Sequence, residues 1–188
     1  GSSDAACFIK AFSALNQIEL TDYVADKTAE KTGSDVFFFL HSGEKKGRNG
    51  CAIVSGRGEI VKPIKPRNDL YFVLIIPPVH SSTKEAYELV DSSYEEGRET
   101  SYPKLTDLEA IYNSPVEKWS FINTFSSVLM QKYPVIKNAL QDLKKSGASW
   151  ADMSGSGSVV FGVFESLQSA QNARKLLEKS WNRCVIAY

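Results

Sequence analysis

The stretch from Ser149 to Tyr188 constrains the fold most. Two short apolar runs, Ser149 to Met153 and Ser158 to Phe164, are joined by Ser154-Gly155-Ser156-Gly157. Leu167 to Trp181 follows with apolar residues at helical spacing, and Arg183 to Tyr188 is again short and apolar. Brief apolar runs bounded by glycine and serine read as strands, and a longer run with a 3.6-residue period reads as a helix. The succession of strand, turn, strand, helix and strand requires a sheet with helices packed on it, which is an α+β architecture. Upstream, Tyr71 to Ile76 is apolar without alternation, as in a central strand covered on both faces, and Pro77-Pro78 stops it. Helices are predicted over Thr83 to Asp91, Ser120 to Lys132 and Val135 to Ser146. Pro134 separates the last two, and Gly147 closes the second. Ser92 to Tyr102 reads as a solvated loop. Three or four strands with helices on one face match the split βαβ arrangement.

The first part of the chain has a different rhythm. The pattern predicts a helix over residues 4–15, a break at Asn16-Gln17, and a second helix from Thr21-Asp22 to Gly33. Val36 to Leu40 is short, apolar and aromatic and predicts a buried strand, and His41 to Gly50 predicts an exposed polar loop. Cys51 to Ser55 and Glu59 to Ile64 flank Gly56-Arg57-Gly58, the composition of a hairpin. Pro63, Pro66, Arg67, Asn68 and Asp69 interrupt the pattern, so a boundary is expected there, dividing residues 1–67 from 68–188.

Lysine plus arginine and aspartate plus glutamate number 22 each, so no net field favours nucleic acid or an anionic membrane. The basic runs Lys45 to Arg48 and Lys144-Lys145 read as solvated surface. No apolar stretch approaches the roughly 20 residues that cross a bilayer. Cys7, Cys51 and Cys184 are odd in number and set among apolar residues, which suits buried, reduced thiols and the cytoplasm. His41 and His80 have no partners at metal-ligand spacing, so no metal site of protein side chains is expected.

Three segments carry possible chemistry. Gly1-Ser2-Ser3-Asp4 lies where a glycine-containing loop enters a helix, presenting free N–H groups to an anion; a simple N-cap is the alternative. Gly33-Ser34-Asp35 places a carboxylate after a helix-ending glycine. There Asp35 could orient a hydroxyl and take its proton in phosphoryl transfer, or serve only as a turn residue. Ser154 to Ser158 can form a concave nest of N–H groups or a plain tight turn.

In order along the chain, these segments resemble the GHMP kinases. Gly1 to Ala6 resembles the end of that family's phosphate loop, Thr32 to Phe39 its Gly-Ser-Asp-Val segment, Gly56 to Glu59 its Gly-x-Gly-Glu hairpin, and Met153 to Phe161 its third motif. The resemblance implies a small-molecule kinase using ATP and Mg2+, with Asp35 as catalytic base. Gly1, Ser2 and Ser3 then hold the ATP phosphates, and Gly155, Ser156 and Gly157 line the site. It further implies a cytidine diphosphate sugar-alcohol as substrate, with Ser34, Thr83 and the stacking aromatic Tyr87 on its side; a helix-core role for Tyr87 is the alternative. Residues 1–67 are then the remainder of an N-terminal α/β domain, and 68–188 a ferredoxin-like C-terminal α+β sandwich. The family's proline after Asp-Val is Phe37 here. Its lysine motif and the glycines before Gly1 are expected from an N-terminal segment, in cis or on a separate chain, without which the chain is expected to be inactive. By the same resemblance the compartment is the cytoplasm or a plastid stroma. Another GHMP substrate, homoserine or a mevalonate-type alcohol, or a non-catalytic binding module, are the competing expectations.

Overall fold

The computed structural model describes residues 1–41, 50–98 and 100–188. Most of the loop expected over His41 to Gly50, including Lys45 to Arg48, therefore lies outside the described residues. The chain forms two compact units, Gly1–Arg67 and Asn68–Tyr188.

The first unit contains α1 (Ser2–Leu15), α2 (Asp22–Thr32), α3 (Ser34–His41) and a hairpin of β1 (Cys51–Ser55) and β2 (Ile60–Ile64). Gln17 takes a positive φ just after α1, and the Thr21 hydroxyl caps α2 by accepting the Val24 N–H. Val36 to Leu40 is helical, not the expected strand. Val36 and Phe37 are buried with Leu40 packed beside them, the i, i+1, i+4 spacing of one helix face. Ser34 and Asp35 supply polar residues for the first turn. The aromatic run favours a strand intrinsically, and packing with Ala6 and Ala29 overrides that preference. Because Ala6 and Val36 share this small cluster, the start of α3 lies close to the start of α1. Lys10 Nζ adds a bond to the Phe39 carbonyl at 2.6 Å.

The second unit is built on a four-stranded antiparallel sheet of β3 (Tyr71–Ile75), β4 (Trp150–Met153), β5 (Val160–Phe164) and β6 (Cys184–Ala187), ordered β4-β5-β3-β6. With α4 (Thr83–Glu95), α5 (Leu108–Asn113), α6 (Thr124–Lys132) and α7 (Pro134–Lys145) between β3 and β4, and α8 (Leu167–Leu177) between β5 and β6, this is the split βαβ order. α7 buries Ile136, Ala139, Leu140 and Leu143, and Pro134 sits in its first turn, where no N–H partner is lost. Val73, Ile75, Val160 and Phe164 face these helices. Phe72, Phe161 and Val163 point the other way, against Leu70, Tyr112, Val116, Trp119 and Trp150. Both faces of β3 are thus covered, one by helices and one by an aromatic layer.

α4 extends to Glu95, so the solvated segment after it begins later than Ser92. α6 starts at Thr124, not Ser120, because Phe121 is held against Trp119 and Trp150 and Asn123 provides the cap. The three cysteines are free, but they are not all buried: Cys7 is exposed, Cys51 is half-buried and Cys184 is buried. Burial pushes the Cys184 thiol up to about 11. No helix among the described residues is long and apolar enough to cross a membrane.

One tie between helices bears on the site. Glu85, in the first turn of α4, accepts from Lys132 Nζ and from the Tyr133 hydroxyl, the latter at 2.7 Å. These donors, Lys132 first, hold the Glu85 carboxyl below the usual range, and Glu85 raises the Lys132 ammonium. A carboxylate lowered by folding contributes stability above its unfolded pKa of about 4.3 and loses it as pH falls through the folded value. The lysine contribution is complete below its unfolded pKa of about 10.4 and is lost as pH rises through its raised folded value. Glu85→Gln is therefore expected to lower Tm slightly at pH 7, and the difference from wild type should vanish on acidification below the carboxylate range. Paired thermal melts across pH check this.

Candidate functional site

In the first unit the candidate residues gather at the start of two helices. The first turn of α1 carries Ser2, Ser3 and Asp4, and its earliest intrahelical bond is from Ala5 N–H to the Gly1 carbonyl. The N–H groups before Ala5 are therefore not used within the helix, and the positive end of the dipole faces outward. Asp35 is exposed in the first turn of α3, next to exposed Ser34. The expected position of Asp35 ahead of a strand is thus replaced by a helix N-terminus.

The hairpin turn abuts this point. Gly58 has φ +116°, and a Cβ there would lie 2.6 Å from the Ser34 carbonyl oxygen, so only glycine lets the two backbones approach. The Arg57 N–H donates to Glu59 Oε2 at 2.6 Å, closing the turn. A cleft of about 410 Å³ is lined here by Ala29, Glu30, Ser34, Phe37, Arg57 and Glu59. In the sequence Arg57 and Glu59 are part of a hairpin turn and nothing more, and only the fold brings them to this cleft.

In the second unit, Thr83 and Ser156 lie 73 residues apart in sequence, yet their hydroxyls meet at 2.9 Å. Tyr87, one turn after Thr83 on the same face of α4, is 57% exposed, which excludes the helix-core reading. Its ring meets Phe125 edge-on at 5.0 Å and leaves surface open for stacking.

The loop between β4 and β5 has glycines at φ +55° (Gly155) and +83° (Gly157), and a Cβ on Gly157 would lie 2.7 Å from Met153 Sδ. Ser154 N–H donates to the Val159 carbonyl and Gly157 N–H to the Ser154 carbonyl. The N–H groups of Gly155 and Ser156 have no acceptor among the described residues, so they can serve an anion. Ser158 Oγ donates to the Val79 carbonyl at 2.6 Å, tying the loop's far end to the segment before α4.

The loop is also held from beneath by residues not singled out in the sequence. Asn123 Nδ2 donates to the carbonyls of Met153 and Gly155, both at 2.8 Å. Its N–H donates to Asp152 Oδ2 at 3.0 Å, and Asp152 Oδ1 accepts from Ser126 Oγ and from Met153 N–H. Asn123 falls inside the helix predicted from Ser120, and nothing local shows that it caps α6 or that its amide reaches a loop 30 residues on. Among the described residues no group of three His, Cys, Asp or Glu side chains gathers as a metal site.

Comparison with known proteins accords with this arrangement. The family described as GHMP kinases C terminal matches residues 105–183. A 4-diphosphocytidyl-2-C-methyl-D-erythritol kinase of Treponema pallidum is 35% identical over 191 residues, covering 98% of this chain and 63% of the relative. The protein of that name from Thermodesulfovibrio yellowstonii is 33% identical, with 98% and 64% covered. The chain therefore spans somewhat less than two-thirds of these relatives. Among solved structures, a 4-(cytidine 5'-diphospho)-2C-methyl-D-erythritol kinase superposes with a TM-score of 0.71 at 28% identity, over 98% of this chain and 63% of that one. The mevalonate kinase of L. major, in complex with R-mevalonate, superposes at 0.60 with 17% identity over 96% and 61%, a likeness of fold. Residues 105–183, within an α+β sandwich of split βαβ order, thus match the C-terminal domain of the GHMP kinases, and relatives of this identity extend the likeness over nearly all of the chain.

Proposed function

We propose that this chain is the larger part of a kinase that transfers the γ-phosphoryl group of ATP to a hydroxyl of 4-diphosphocytidyl-2-C-methyl-D-erythritol in isoprenoid precursor synthesis. The observation that carries the reading is the meeting of Thr83 with Ser156, beside the unused N–H groups of Gly155 and Ser156 and the exposed ring of Tyr87. An aromatic face, two hydroxyls and two N–H donors suit a pyrimidine linked to phosphate. The kinase relatives and the solved kinase share this span of sequence.

In this reading Asp35 accepts the proton of the attacking hydroxyl as its oxygen bonds to the γ-phosphorus and the bond to the β-phosphate oxygen breaks. Gly1, Ser2 and Ser3, at the positive end of α1, bind the ATP phosphates through N–H groups and hydroxyls. The oxygens of half-buried Ser2 and of exposed Ser3 and Asp35 are hard donors of the kind Mg2+ takes when it is carried on nucleotide phosphates. Bound there, Mg2+ would neutralise charge on those phosphates. Ser34 and Thr83 hydrogen-bond the acceptor, and Tyr87 stacks on its cytosine. The three free thiols suit a reducing compartment, the cytoplasm or a plastid stroma.

The test uses the chain joined to the part of the Treponema pallidum relative outside the matched span, referred to below as the completed chain. Its ATP-dependent turnover should be inhibited competitively, against the alcohol substrate, by cytidine diphosphate. Turnover of homoserine or mevalonate, insensitive to cytidine nucleotides, would overturn the substrate assignment.

A further inference from the structure

We propose that Asn123 is a positioning residue for the Gly155–Ser156 loop and that Asp152 fixes Asn123 in that role; the proposal rests on the reading of this loop as a phosphate-side binding element. The carboxamide is fully committed. Its two N–H bonds go to the carbonyls of Met153 and Gly155, and its oxygen accepts the Phe125 N–H at 2.9 Å, which ties it to the start of α6. Asp152 holds the Asn123 backbone from the strand side and anchors Ser126 on α6 at the same time.

Drawing the Met153 and Gly155 carbonyls towards Asn123 fixes the Met153–Ser154 and Gly155–Ser156 peptide planes, on either side of the Ser154–Gly155 bond. That leaves the N–H groups of Gly155 and Ser156 unopposed by the loop's own carbonyls. An anion then meets two donors already in place, with no ordering cost at binding. Without the amide, the glycines at positive φ permit many other loop conformations.

Asn123→Asp separates positioning from folding, since aspartate keeps the helix cap but presents an acceptor to two carbonyls. Asn123→Ser keeps a cap without that repulsion and serves if the aspartate variant fails to fold. The 188-residue chain, labelled with 15N, is titrated with cytidine 5'-diphosphate while amide shifts and hydrogen exchange are recorded. In the wild type the Gly155 and Ser156 amides should move saturably. Either variant should weaken binding about 10-fold or more and speed exchange in the loop, with α6 protection retained. Wild-type affinity in both variants would overturn the proposal, as would a wild-type response at Tyr87 with none in the loop. No wild-type response anywhere would overturn the underlying reading before any substitution is compared.

Discussion

Asp35→Asn in the completed chain is expected to lower kcat by about 10²–10⁴-fold, the range associated with losing a general base, while KM for ATP changes little. The side chain is exposed in the first turn of α3, so folding depends on it only through its favourable place at the helix N-terminus. That dipole contribution is about 0.3–1 kcal/mol, and asparagine, similar in size, should fold with nearly the wild-type Tm. Steady-state kinetics and a thermal melt on the same preparation separate the two effects. Unchanged kcat would remove Asp35 from the chemistry.

The second large effect is expected at Gly58, which acts through backbone rather than charge. Alanine would have to adopt φ +116° and place its Cβ 2.6 Å from the Ser34 carbonyl oxygen and 2.9 Å from the Ser34 carbonyl carbon. Neither atom can move without shifting the first turn of α3, where Asp35 sits. Strain of this kind costs about 1–3 kcal/mol, and Gly58→Ala should lose turnover as well as stability. Gly56→Ala is the control. Its φ of +68° is the ordinary left-handed region, and its Cβ would meet only the end of the Glu59 side chain, which can swing away. A cost of about 1–2 kcal/mol with turnover preserved is expected there. Equal turnover for the two variants would show that the hairpin does not position the start of α3.

These contrasts also show what the sequence could reveal. α7 was legible because Ile136, Ala139, Leu140 and Leu143 declare one apolar face, and Pro134 and Gly147 mark its ends. β3 was legible because its apolar run is β-branched, lacks alternation and is stopped by Pro77-Pro78, as suits a strand covered on both sides, and the aromatic layer supplies the second cover. Val36 to Leu40 is a helix and not a strand because five consecutive apolar residues have no period of their own; the choice is made by packing against Ala6, 30 residues upstream, and Ala29 of α2. The order of motifs suggested a site, but only the fold shows that Thr83 reaches Ser156. Asn123 and Asp152 were silent for the same reason, since each of their bonds to the other's segment closes only when α6 packs beside β4.

The identity of the acceptor decides what this kinase does. The direct measurement is transfer of labelled γ-phosphate from ATP to 4-diphosphocytidyl-2-C-methyl-D-erythritol by the completed chain, with the product identified by mass. Phosphorylation of that alcohol, lost with Asp35→Asn, is the predicted result. A folded, ATP-binding completed chain that leaves this alcohol unphosphorylated would contradict the account.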